Sequence, residues 1–188
     1  VRADQQYVYL KRQRMFGMLS DRNGFLKRII CAVLIGLSLI GLSGCGGQTP
    51  APKSQFLLLD GSTKPLDAMK GQVVLVNFWA TSCTSCVAEM PELIAMHQQF
   101  KDRGFETVAV AMSYDPVTYV VNFATTRALP FLVALDKDGA IAKEWGDIKL
   151  TPTTFIVNKK GEIVKSFVGP PNFEALHTLV ETLLAQPG

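Results

Sequence analysis

Residues 71–91 read GQVVLVNFWATSCTSCVAEMP. Val73–Phe78 is an apolar run of strand type, of the kind expected where both faces of a sheet are covered. From Thr84 to about Lys101 the pattern becomes helical, with Val87, Met90, Leu93, Ile94 and His97 recurring three or four residues apart. Pro91 falls inside this stretch and predicts a kink of structural origin. Two cysteines, Cys83 and Cys86, stand where the strand has ended and the helix opens.

That placement has chemical consequences. A helix N-terminus presents unpaired N–H groups and the positive end of the dipole, which favour a thiolate at Cys83. Three residues on, Cys86 is close enough to attack a mixed disulfide formed at Cys83, and it is expected to be the less exposed of the two. The spacing alone also fits half of a zinc site or a copper(I) site. Zinc usually takes four ligands, and the chain has no second cysteine pair and only His97 and His177, both expected at the surface or its boundary. Copper chaperones commonly have Met two residues before the first Cys, where this chain has Thr81. Peroxiredoxins have Thr or Ser three before theirs, where this chain has Ala80. The residues favour redox chemistry, with no metal and no cofactor required, and leave a copper(I)-binding module as the rival from another class.

Outward from the motif, the pattern predicts strands at Phe56–Asp60, Phe105–Met112, Phe131–Ala134, Thr153–Val157 and Glu162–Val168. The last two form a hairpin around Asn158–Gly161. Helices are predicted at Pro116–Arg127, Asp138–Trp145 and Asn172–Leu184, with Pro116 near its helix start as helices tolerate. The alternation argues for an α/β fold with a central mixed sheet flanked by helices.

The charge is divided unevenly. The 188 residues carry 19 basic and 16 acidic side chains, a net +3. Residues 1–44 hold seven of the basic and two of the acidic ones, so residues 45–188 are left with 12 basic and 14 acidic, a net −2. The basicity belongs to the N-terminus, and nucleic-acid binding by the remainder has no support. Lys27-Arg28 precedes fourteen uncharged residues, Ile29–Leu42. As a helix they reach about 21 Å, short of a bilayer's hydrocarbon thickness, which fits a signal-peptide apolar region better than a spanning helix. The sequence begins with Val1, and a start at Met15 or Met18 gives a more compact leader. Leu42-Ser43-Gly44-Cys45 resembles the lipobox of bacterial lipoproteins, which implies cleavage before Cys45 and its attachment to lipid. A retained signal anchor is the alternative, and either one exports the rest of the chain. Of four cysteines, Cys31 is then lost with the leader and Cys45 carries lipid. Cys83–Cys86 is the disulfide left to the mature chain, in a compartment that permits one. The expected organisation is a leader over 1–44, a flexible tether over 45–55 and one domain over 56–188.

Phe78-Trp79-Ala80-Thr81, the cysteine pair, Glu89 and Pro91 resemble the active-site segment of the thioredoxin superfamily, most closely the exported TlpA/ResA-like thiol-disulfide oxidoreductases. A second match is Thr151-Pro152-Thr153-Thr154-Phe155, followed by Asn158–Gly161; the resemblance covers roughly 54–186. It implies a thioredoxin fold with an αβ insertion, around 116–134, between the βαβ and ββα halves. It implies a cis Thr151–Pro152 peptide lying against Cys83, with the Thr151 backbone offered to a substrate strand. Glu89 is implied as a partly buried acid that handles protons; the alternative is a solvated helix carboxylate. Asn77 stands where many cytoplasmic thioredoxins carry a buried Asp, which strengthens the case for Glu89. Trp79 is expected beside the active site as a substrate contact or as core, and Trp145 to cap the helix before the Pro152 loop, with a substrate contact as its lesser reading. The family usually has an aromatic just before the first Cys and often Pro just before the second. Ser82 and Ser85 occupy those places, with consequences for partner choice and reduction potential. The resemblance implies a reductant of exported thiol proteins, for example in cytochrome c maturation, recharged by a membrane dithiol donor. A disulfide-forming oxidant of the same fold is the rival within the redox class.

Overall fold

The structure is a computed structural model and describes residues 48–188. The leader and Cys45 lie outside the described residues. Among these residues the strands are β1 (Thr49–Pro50), β2 (Gln55–Leu58), β3 (Thr63–Pro65), β4 (Val73–Trp79), β5 (Phe105–Ala111), β6 (Leu132–Leu135), β7 (Thr153–Val157) and β8 (Glu162–Val168). The helices are α1 (Thr84–Phe100), α2 (Val117–Thr126), α3 (Ala140–Glu144) and α4 (Phe173–Ala185). The strands form one mixed sheet in the order β1-β8-β7-β4-β5-β6-β2-β3. This is the expected thioredoxin-like α/β arrangement, with α2 and β6 inserted where the resemblance places them. No helix among the described residues is long and apolar enough to cross a membrane.

β4 sits near the centre of the sheet, parallel to β5 and antiparallel to β7. All seven of its residues are buried. Side chains alternate across a strand, and the two sets enter two cores. Val73, Leu75 and Trp79 face α1, α2 and α4, where they join Met90, Leu93, Val120, Leu176 and Val180. Val74, Val76 and Phe78 face the other way, onto α3 and the N-terminal strands, with Phe56, Met69, Ile141 and Trp145. By the same alternation Asn77 points to the α1 side.

Two features depart from the sequence expectations. Residues 48–55, expected within the tether, lie on the domain. β1 pairs with Glu162–Ile163, the Ala51 N–H donates to the Gly161 carbonyl, and Ser54 is 1% exposed. Its hydroxyl accepts from Trp145 Nε1 at 2.9 Å and reaches the Glu144 carboxylate. Pro and polar composition concealed strands held by backbone pairing and one buried hydroxyl. His97 is also buried, at 5% exposure. It packs edge-on against Phe131, with Nδ1 3.4 Å from the Thr107 hydroxyl, and burial holds its pKa below the ordinary value.

Candidate active site

β4 ends at Trp79, and the chain turns through Ala80–Ser82 before α1 begins. Cys83 is the N-cap residue of α1, and its sulfur accepts from the Cys86 N–H at 3.2 Å. The sulfur thus occupies the place where a capping oxygen usually sits. Cys83 and Cys86 are joined in a disulfide, with their Cα atoms 5.2 Å apart. Cys83 is half-buried and Cys86 is fully buried. A partner sulfur therefore has access to Cys83 and none to Cys86. The Ser85 hydroxyl lies 3.5 Å from Cys83 Sγ.

A second loop closes on the same atom. The Thr151–Pro152 peptide is cis, and the Thr151 carbonyl oxygen stands 3.5 Å from Cys83 Sγ. Pro152 is buried and Thr151 is partly exposed. The pairing of Phe78 with Thr153 carries this loop to the end of the sheet at which β4 delivers the cysteines.

Behind the disulfide is a small polar cluster in the apolar layer. Asn77 is fully buried and Glu89 is 4% exposed. Asn77 Nδ2 donates to Glu89 Oε1 at 2.8 Å and to the Thr154 hydroxyl at 3.0 Å. Asn77 Oδ1 and Glu89 Oε2 are buried without a protein partner. Burial pushes the Glu89 pKa up to about 7, against a smaller downward pull from the Asn77 hydrogen bond. A carboxyl titrating there can take up or release a proton near neutrality. The reading of Glu89 as a solvated helix carboxylate is corrected by its burial.

Trp79 is fully buried, its ring centroid 5.2 Å from that of Phe123. It supports the site from within the core and offers no face to a substrate, which corrects the expected contact. Trp145 is 4% exposed and packs against Phe78 and Phe155, so it too belongs to the core. Among the described residues, no three His, Cys, Asp or Glu side chains converge as metal ligands would.

Sequence reasoning missed Asp115. It is 6% exposed, and its carboxylate accepts from both the Thr81 N–H and the Thr81 hydroxyl at 2.6 Å. Asp before Pro at a helix start is ordinarily read as a cap. Here the cap position is Pro116, and the Asp115 carboxylate is spent on Thr81.

Comparison with known proteins agrees with this geometry. The sequence profile of the Redoxin family matches residues 47–183. The chain is 31% identical over 183 residues to the thiol-disulfide oxidoreductase ResA of Bacillus subtilis, covering 95% of this chain and 97% of that one. The crystal structure of a thioredoxin-family thiol:disulfide interchange protein from Chlorobium tepidum superimposes with a TM-score of 0.68 at 25% identity, over 74% of this chain and 99% of the other. StoA from Bacillus subtilis gives 0.59 at 28% identity, over 70% and 98%.

Proposed function

The chain belongs to the Redoxin family and is a thiol-disulfide oxidoreductase of the ResA-like kind, and from that premise we propose that it works outside the cytoplasm, tethered by lipid at Cys45, and reduces disulfides in exported proteins. The observation that carries the reading is the asymmetric cysteine pair at the start of α1: one sulfur reachable and capped by backbone N–H, the other sealed.

The reaction then runs in two displacements. The Cys83 thiolate attacks one sulfur of a partner disulfide, a mixed disulfide forms, and the partner's other sulfur leaves as thiolate. Cys86, deprotonated, attacks Cys83 Sγ, the Cys83–Cys86 bond forms, and the partner's remaining sulfur leaves. Two electrons and two protons pass to the partner, and the enzyme ends in the disulfide state. A membrane dithiol donor then reduces the Cys83–Cys86 bond for the next turnover. The Thr151 backbone lines the approach to Cys83, Pro152 shapes that loop, and Glu89 accepts or returns the proton exchanged with Cys86. Cytochrome c maturation is one process that consumes such a reductant.

The leader reading supports export: an uncharged apolar stretch follows Lys27-Arg28 and ends at the lipobox-like Leu42-Ser43-Gly44-Cys45. The decisive experiment uses Cys86→Ser in whole cells. Mixed disulfides through Cys83 are expected, together with insulin reduction by the intact protein. No trapped partner and no reduction would falsify the reading. The potential of the Cys83–Cys86 couple sets the direction: near about −270 mV it acts as a reductant, and near about −120 mV the oxidant reading replaces it.

A further inference from the structure

The loop that carries the nucleophile is short of backbone partners. β4 and β5 remain in register to the Trp79–Ala111 pair, and the Trp79 carbonyl still accepts from the Met112 N–H. Beyond that point the two chains separate, one toward Cys83 and the other toward α2. Within the first, the Cys83 N–H turns back to the Ala80 carbonyl, and the Thr81 N–H has no backbone acceptor. Asp115 replaces the missing ladder. One carboxylate oxygen takes the Thr81 N–H and the other takes its hydroxyl, both at 2.6 Å.

This use of Asp115 is specific. The residue stands directly before Pro116, the N-cap of α2, one position outside the place from which a side chain caps its own helix. The cap position itself is a proline, which has no side-chain acceptor, and both Asp115 oxygens are taken by the neighbouring loop. Asp115 is also nearly buried, so its two bonds compete little with water. The same turn reaches the opposite side of the site: the Tyr114 hydroxyl lies 3.3 Å from the Thr151 hydroxyl, and the Thr151 carbonyl faces Cys83 Sγ. One dipeptide therefore touches both loops that meet at the nucleophile.

We propose that Asp115 is a positioning residue for disulfide exchange, acting through Thr81 to hold the loop on which Cys83 Sγ lines up with an incoming disulfide. Exchange requires the attacking sulfur to approach along the axis of the bond it breaks, so small displacements of the loop are costly in rate. Asp115 itself touches no reacting atom.

The inference rests on the oxidoreductase reading, and the experiment separates the two. The reduced full chain is mixed with oxidised glutathione, and the single-turnover rate of Cys83 is followed under conditions where every variant remains folded. The Cys83 thiolate forms a mixed disulfide with one glutathione, Cys86 displaces it, and two glutathione thiols result. Asp115→Ala is expected to slow the step about tenfold or more. Asp115→Asn restores most of the rate, because an amide oxygen still accepts from the Thr81 N–H while its NH₂ donates to the hydroxyl. Thr81→Val, which keeps the N–H bond and loses the other, falls between them and serves if Asp115→Ala does not fold. Parent-like rates in Asp115→Ala and Thr81→Val overturn the inference and leave the oxidoreductase reading intact. Asn as slow as Ala also overturns it, since charge and not placement would then matter. No exchange by the parent removes both together.

Discussion

Glu89 has a single hydrogen-bond donor where an ionised carboxylate would normally want several. In an unfolded chain it ionises near its ordinary 4.5, and in the folded protein near about 7. Between those values folding takes up a proton. Stability from this group is full below pH 4.5, declines as pH rises through the window, and levels off above about 7, with a slope of at most about 1.4 kcal/mol per pH unit. Glu89→Gln is expected to remove that slope, read as urea midpoints from pH 4.5 to 8 against the parent. The same substitution should erase the break near pH 7 in the exchange rate; a break that survives assigns it to another group. The position of Glu89 relative to the cysteines was legible by resemblance, while its burial depends on Asn77, whose orientation follows from the pleat of β4. Asp115 was not legible, because its partner Thr81 lies 34 residues away and nothing local distinguishes it from a capping residue.

At the scale of elements, the apolar run of β4 and the three-to-four spacing of α1 announced themselves, because both are buried along one continuous pattern. α3 did not depend on such a pattern. It is five residues long and is organised from outside. The buried Asp136 carboxylate accepts from the Ile141 and Ala142 N–H groups at 3.0 Å, satisfying donors that a helix start leaves free. Asp136→Ala should therefore cost about 1–3 kcal/mol, the range for stranding buried donors, measured by urea unfolding. Ser54→Ala should cost a similar amount, about 1–3 kcal/mol, by leaving Trp145 Nε1 without its acceptor. A loss below about 0.5 kcal/mol would show that water replaces the hydroxyl. β1 and β3 escaped the sequence reading for the complementary reason: two and three residues with Pro at the end carry no periodicity; β1 is placed by β8, distant in the chain, and β3 is the short return of a hairpin with β2.

For the whole molecule, the sheet order follows from the connectivity of the central strands, and the resemblance located both the insertion and the cis-proline loop. What it left open was the route by which the chain arrives. The proposed anchor has its own test: Cys45→Ser should move the protein from the membrane fraction to the soluble one, with the disulfide couple unchanged in potential. The pairing of β1 with Glu162–Ile163 has a further consequence. β8 leaves the Asn158–Gly161 turn there, and Val168, at its other end, pairs with Thr153 beside the cysteines. The domain is thus bipolar, with the chain entering it at Gln48 at one pole and the cysteines at the other. Gln48 therefore stands at the pole opposite Cys83, away from the proposed approach of substrates. A bulky carrier fused there should leave insulin reduction at the parent rate, whereas the same carrier inserted after Tyr114 should abolish it.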